Sequence, residues 1–279
     1  QPAQVPILIK LNLDKIQQIA TASVVNGNLL EYTIKRQTVF DIGGFNFLLP
    51  YDLKLNIIKN SNTGQFTVSA IYDFLNYNIK PNSIKTPYLK TILLTENGVS
   101  YVDINATLFQ IKLSEYIFSM SSNDILDVGI IEQNYGGNMV GFKAYYNDNR
   151  NNMSFYSPLE TIFNEIDKPV TSAWMYYTYV GDDILRIYFS NKPSDFRPIF
   201  NSKLKIEAFT TNAEEGNFNY SGNISIRDPN LEKVNYSCVL LNNGPIGGSS
   251  NKSFRDTKIA LIQKLRTRNS ITTSYDLQT

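Results

Sequence analysis

Hydrophobic and polar positions alternate with a period of two along much of this chain. Ile7, Ile9, Leu11 and Leu13 fall on one side of an opening run, with Lys10 and Asn12 on the other. Leu53, Leu55 and Ile57 repeat the pattern beside Lys54 and Asn56. Successive side chains of a strand point to opposite faces, so each run predicts a half-buried β-strand. Phe109, Ile111 and Leu113 against Gln110 and Lys112 predict another, and the run from Ile184 to Phe189 is rich in β-formers. Asn26-Gly27, Asn97-Gly98 and Asn62-Thr63-Gly64 punctuate such runs. Asn and Gly tolerate positive φ, so these read as tight turns joining antiparallel meanders.

Helical periodicity is confined to two places. Ser157-Pro158-Leu159-Glu160 has the form of a capping box with proline at the first helical position, and Leu159, Ile162, Phe163 and Ile166 follow at helical spacing before Pro169. This predicts a short amphipathic helix over roughly residues 158–167. A second helix is predicted after Asp256, through Ile259, Leu261, Ile262 and Leu265 to Arg266 and Arg268, with an acidic cap at its start and cations at its end. The fold class expected is mainly β with a few short helices (α+β), built as successive antiparallel β-rich domains followed by a C-terminal helical segment. Two polar stretches, Asn147 to Asn152 and Asn242 to Asn251, divide it into 1–146, 153–241 and 252–279. The second stretch, rich in Gly and Ser, reads as a flexible connection into the terminal helix. The chain lacks an initiating methionine and stops just after Thr272-Thr273-Ser274-Tyr275-Asp276-Leu277, where a fresh helix would be starting, so it is expected to be a portion of a longer polypeptide.

Composition narrows the function more by exclusion than by indication. A chain of 279 residues, 42% of them hydrophobic, buries substantial cores without cross-links. The net charge of +1 provides no electrostatic footprint for nucleic acid or an anionic membrane. No apolar run reaches the roughly 18 residues of a membrane-spanning helix, and the first residues lack the pattern of a signal peptide. The single Cys238 has no internal partner and reads as a small buried strand residue, consistent with a reducing cytoplasm. Histidine is absent, which removes the usual general base and the commonest nitrogen ligand of zinc.

Candidate chemistry falls short in each case. Gly136-Gly137-Asn138-Met139-Val140-Gly141 lacks the order of a phosphate-binding loop and reads as a β-turn. Asp182-Asp183 and Glu214-Glu215 are adjacent carboxylates, which a strand directs to opposite faces, so neither pair flanks a scissile bond. Gly181-Asp182-Asp183 reads as a hairpin turn. Glu214-Glu215-Gly216-Asn217 reads as a tight turn with left-handed geometry whose acids pair with Lys203 or Lys205. The aromatic run Trp174 to Tyr179, with Tyr145-Tyr146, has the composition of either a core or a sugar-stacking surface.

Two segments carry a resemblance. The strand Lys203-Leu204-Lys205-Ile206-Glu207-Ala208-Phe209 runs into Thr210-Thr211-Asn212-Ala213-Glu214-Glu215-Gly216-Asn217-Phe218, and the terminal helical run leads into Arg266-Thr267-Arg268-Asn269-Ser270-Ile271-Thr272-Thr273-Ser274-Tyr275-Asp276-Leu277. In this order they resemble the baseplate J-like family, the baseplate wedge proteins of contractile-tailed bacteriophages. Thr38 to Phe47 and Tyr72-Asp73 look like the paired strands that precede the core in such proteins. The resemblance implies a non-catalytic structural subunit, without cofactor, metal or small-molecule substrate. It would be assembled in the host cytoplasm into the tail baseplate of the virion, and would bind other wedge subunits and copies of itself. Gly216, Asn217 and Phe218 would form the turn that fixes the strand pair. Arg268, Thr272, Thr273 and Asp276 would form a corner between helices, with Leu261 and Leu265 on the helix before it. The abundance of Asn, Ile, Lys and Tyr fits a phage of a low-GC host. The alternative from another class is a carbohydrate-binding or adhesin-like β module that uses the tyrosines; a glycan-cleaving enzyme is a third reading.

Overall fold

The computed structural model describes residues 1–22, 29–60, 62–119, 130–134, 138–148, 156–162, 174–180, 184–189, 196, 198–199 and 201–250. In chain order the strands are β1 (Gln4–Asn12), β2 (Thr21–Ala22), β3 (Leu29–Ile34), β4 (Val39–Ile42), β5 (Phe45–Leu48), β6 (Tyr51–Lys59), β7 (Phe66–Tyr77), β8 (Tyr88–Leu89), β9 (Thr91–Glu96) and β10 (Val99–Gln110). They continue as β11 (Lys112–Ser119), β12 (Ile130–Asn134), β13 (Asn138–Asn147), β14 (Ser157–Ile162), β15 (Trp174–Val180), β16 (Ile184–Tyr188), β17 (Lys203–Thr211), β18 (Ser225–Arg227) and β19 (Tyr236–Leu240). Among the described residues two short helices, α1 (Leu13–Ile19) and α2 (Pro229–Glu232), and a 3₁₀ turn at Ala213–Gly216 accompany the strands. The protein is thus predominantly β with a few short helices.

Three sheets form. The first runs β18-β4-β5-β10-β1-β19, with β9 also paired to β10; the second runs β11-β17-β13-β14-β15-β16-β12; the third runs β2-β3-β6-β7-β8. The alternation along β1 is realised: Val5, Ile7, Ile9 and Leu11 are fully buried. They share one core with Phe40, Phe47, Val102 and Ile104 of the first sheet and with Leu53, Leu55 and Ile57 of the third. A separate core belongs to the second sheet, around Met175, Leu185, Ile187, Leu204 and Ile206. Asn97 and Gly98, at φ 50° and 80°, make the tight turn between β9 and β10. Gly64, at φ +69°, serves the β6–β7 hairpin, while Asn26-Gly27 lies outside the described residues.

The helix expected from Ser157 is a strand over its described part. Leu159 pairs with Ala144 of β13, and Glu160 pairs with Trp174 of β15. Leu159 is buried, whereas Pro158 and Glu160 are exposed, a period of two rather than 3.6. The sheet overrides the local capping pattern because two flanking ladders satisfy the backbone here. Pro158 is accommodated near the strand start, where it faces Tyr145 and precedes the β15 ladder. The helices present among the described residues were not anticipated: α1 is capped by the Asn12 side chain, which accepts from the Lys15 amide at 3.0 Å, and α2 opens on Asp228-Pro229, whose carboxylate accepts from the Asn230 amide at 2.9 Å. The helix expected after Asp256 lies outside the described residues.

Strand pairing crosses the expected boundaries. β18 and β19, from the 153–241 segment, pair with β4 and β1, whereas β11 and β13 pair with β17. The run Phe109-Gln110-Ile111-Leu113 is not one strand either. The chain leaves the first sheet after Gln110 and enters the second at Lys112, and Gln110, expected on a polar face, is buried.

A polar joint ties the sheets together. The Arg36 amide donates to Asp52 Oδ1 of β6 at 2.7 Å, and its guanidinium donates to the Tyr77 carbonyl at 3.0 Å, to Asn78 Oδ1 at 2.6 Å and to Glu207 Oε2 of β17 at 3.3 Å. Glu207 also accepts from Lys205 Nζ and from the Tyr145 hydroxyl, both at 3.1 Å. Both members of the Arg36–Glu207 pair are almost fully buried. Two residues on, Thr38 Oγ1 donates to Asp228 Oδ2 at 2.6 Å beside the first sheet.

Removing one member of a buried pair leaves the other desolvated and uncompensated. Arg36→Ala is expected to lower the unfolding free energy by about 3–5 kcal/mol, read by urea denaturation. Burial alone would raise the Glu207 pKa, but the Lys205 hydrogen bond, the Arg36 charge and the Tyr145 hydroxyl outweigh it and hold the carboxyl below its ordinary 4.5. The stabilisation is therefore complete above pH 4.5 and is lost as pH falls through the lower, folded-state value. The difference in urea midpoint between the parent protein and Glu207→Gln should shrink on acidification through that window.

Candidate functional site

The pattern residues Gly216, Asn217 and Phe218 sit where β17 leaves the second sheet and the chain returns to the first. Gln110, at the end of β10, organises the exit. Its Oε1 accepts from Thr211 Oγ1 at 2.6 Å and from the Asn212 amide at 2.7 Å, while its Nε2 donates to Asn212 Oδ1 at 3.0 Å. The Gln110 amide donates to the Ala3 carbonyl at 2.8 Å, which joins the start of the chain to the same point. The turn is 3₁₀, and its positive φ falls on Ala213, at 52°, not on Gly216. Glu214 and Glu215 are exposed. The expected pairing with Lys203 or Lys205 is absent among the described residues, because Lys205 engages Glu207 and Glu115 instead.

Each pattern residue has a definite contact. A Cβ on Gly216 would lie 3.1 Å from Ala3 Cβ and 3.3 Å from Gln110 Cγ, so the small residue lets three segments meet. Asn217 binds Gly248 twice: its Nδ2 donates to the Gly248 carbonyl at 2.8 Å, and its Oδ1 accepts from the Gly248 amide at 2.7 Å. The Phe218 ring lies 5.2 Å from Phe45 and covers Gly43, whose added Cβ would come within 2.8 Å of it. Arg268, Thr272, Thr273 and Asp276, with Leu261 and Leu265, lie outside the described residues.

The glycine-rich stretch expected to be a flexible connection is pinned up to Ser249. Gln4 and Ile246 exchange backbone hydrogen bonds of 2.8 and 3.0 Å, and the Ser249 amide donates to the Gln1 carbonyl at 3.0 Å. Two of its glycines serve close approach rather than freedom of motion. A Cβ on Gly248 would lie 2.1 Å from the Ala213 carbonyl oxygen, and one on Gly244 would lie 2.1 Å from that of Phe218. The turn, the start of β1 and the segment leading towards residue 251 therefore form one clamp. Gln110 is the member that sequence reasoning missed, since a polar residue in an alternating run reads as solvent-facing. The available signal was the shift of apolar positions between Leu108 and Phe109, from the side of Val102 and Ile104 to that of Ile111 and Leu113.

The aromatic candidates whose side chains are described are committed internally. Trp174 and Tyr176 are buried, with Tyr176 stacked on Tyr188 at 5.0 Å and the Tyr177 ring edge-on to Phe142 at 4.9 Å. The Tyr145 hydroxyl donates to Glu207, and the Tyr146 hydroxyl accepts from the Ile199 amide at 3.0 Å. A sugar needs an open ring face, which buried Trp174 and Tyr176 do not offer. Asn138 to Gly141 belong to β13, with a register shift between Met139 and Gly141 rather than a turn; Gly136, Gly137 and the Gly181-Asp182-Asp183 turn lie outside the described residues. Cys238 is a half-buried residue of β19 whose thiol is pushed up to about 12 by burial. Two grooves of about 480 and 540 Å³ flank Tyr77 and Phe142. Lys143 beside them sits 4.1 Å from the Tyr77 ring, and burial, then the Arg36 charge, lowers its pKa to about 8. Among the described residues no group of three or more Asp, Glu or Cys side chains is placed to hold a metal.

No family model, curated protein or solved structure matches the chain. Its reading therefore rests on its own residues.

Asn217→Ala removes two hydrogen bonds and should cost about 1–2 kcal/mol. The Gly248 amide is expected to lose protection in hydrogen exchange at the same time. Gly248→Ala forces backbone against backbone and should cost more than Asn217→Ala in thermal unfolding. Equal stability of all three proteins would remove the clamp.

Proposed function

We propose that this chain is a structural subunit of a contractile-phage tail baseplate wedge, non-catalytic, which holds the baseplate together through protein–protein interfaces and rearranges when the sheath contracts. The observation that supports this most is the clamp. Gly216, Asn217 and Phe218, the described residues that carry the family pattern, are joined through Gly248 to the segment that leads into the second half of that pattern. A wedge subunit needs such a junction, because force arriving through a terminal element has to reach the β layers without unfolding the link. The arrangement of β layers with a polar joint between them suits a body that shifts as units, since cores resist continuous deformation while interfaces between them switch between discrete packings.

Purified contractile tails provide the test. The chain should be present in copy number matching the tail's rotational symmetry and should cross-link to sheath-proximal neighbours. The double substitution Leu261→Asp with Leu265→Asp should block its incorporation while leaving the β layers folded by circular dichroism. Tails that lack the chain altogether would end this reading.

A further inference from the structure

β19 forms one edge of the first sheet. The Leu241 amide donates to the Pro6 carbonyl at 3.0 Å, and the ladder below it runs from Ile7 opposite Leu240 to Leu11 opposite Tyr236. Hydrogen-bonded and non-bonded pairs alternate in an antiparallel ladder. The backbone groups of Ser237, Val239 and Leu241 therefore face β1, and those of Tyr236, Cys238 and Leu240 face outward. No backbone partner for these outward groups occurs among the described residues. The side chains of Tyr236, Cys238 and Leu240 pack against the core, while Val239 and Leu241 are 52% and 49% exposed.

Sheet edges are ordinarily guarded by charge, proline or shortness. The open edge β11 carries Lys112 and Glu115, and β18 is three residues long and carries Arg227, paired with Asp41 at 2.8 Å. From Val234 to Leu241 there is neither a charged residue nor a proline. An unguarded edge of this kind is a template for another strand.

We propose that β19 is a self-association edge, at which a second copy of this chain adds its own β19 antiparallel across a two-fold axis at Cys238. In that register Cys238 faces its equivalent and Tyr236 faces Leu240, so every outward N–H meets an outward carbonyl. Val239 and Ser237 oppose each other on the exposed face. No like charges meet, and the isologous contact closes at two copies. The proposal deepens the wedge reading, on which its setting in a particle rests, by naming the surface through which one copy meets another.

Sedimentation of the full chain over a concentration series is expected to show a monomer–dimer equilibrium, with the Tyr236, Cys238 and Leu240 amides protected from exchange in the dimer. Val239→Lys touches no core residue and brings two ammonium groups to diagonal positions. It should remain monomeric, lose that protection and, at dilutions where the parent is also monomeric, unfold at the parent's temperature. Cys238→Pro removes an outward donor while sparing the bonds to β1, and should also be monomeric. A chain that stays monomeric at its highest soluble concentration would overturn the edge proposal, as would a dimer that survives Val239→Lys or leaves those amides unprotected. A monomeric chain that still occurs in tails would overturn the edge proposal alone; the expected dimer without any tail that contains it would overturn the wedge reading alone.

Discussion

Everything in this architecture depends on how the buried Arg36 guanidinium is satisfied. A charge taken out of water is tolerated when it is paired and hydrogen-bonded. Those donors reach the Tyr77 carbonyl and Asn78 at the end of β7 and Glu207 in the middle of β17. The third and second sheets thereby acquire one relative position at which no charge is stranded. Apolar contact alone would be less selective, because hydrophobic surfaces gain area in many registers. The small apolar cluster of Leu48, Ile79, Phe109, Ile111 and Phe209 joins the first sheet to the second. That cluster supplies adhesion, and the ion pair specifies the placement.

The clamp at Gln110 and Asn217 is a second case of polar groups choosing geometry. Gln110 is buried at the point where the chain changes sheets, and its amide group is engaged by Thr211 and Asn212. Asn217 then reads the backbone of Gly248 in both directions, which an aspartate, lacking a donor, would not do. Neither contact works unless the backbones come close, and that is the physical role of Gly216, Gly244 and Gly248. Substitution at these glycines acts through space more than through chain flexibility.

The elements that were legible in the sequence are those whose signal is local. The alternation of β1 and β6 and the Asn97-Gly98 turn follow from period two and from positive φ, and both are present. Sheet membership was not legible, because β18 and β19 join strands more than 180 residues earlier in the chain, through contacts with no local trace. The Ser157 capping box was misleading for the opposite reason: a strong local preference yielded to two ladders. At the candidate site, Gly216, Asn217 and Phe218 could be named from pattern. Gln110, Gly248 and the Arg36–Glu207 pair could not, since each matters through a partner distant in sequence.

The distribution of polar and apolar contacts bears on the mechanical reading. A subunit that only had to be stiff would place one continuous hydrophobic core beneath all its sheets. Here the core beneath the first and third sheets is separate from that of the second, and between them lie the small cluster around Phe109 and Phe209 and the charged and amide groups around Arg36. Hydrogen bonds at such a joint have defined lengths and partners, so they hold one arrangement firmly and give way together when a donor is withdrawn. The clamp at Asn217, close to the segment leading towards residue 251, shares Gln110 and the end of β17 with the junction. On the reading proposed above, a displacement entering through the terminal segment would reach the joint through Gly248, the 3₁₀ turn and the four residues of β17 from Thr211 to Ala208 that precede Glu207.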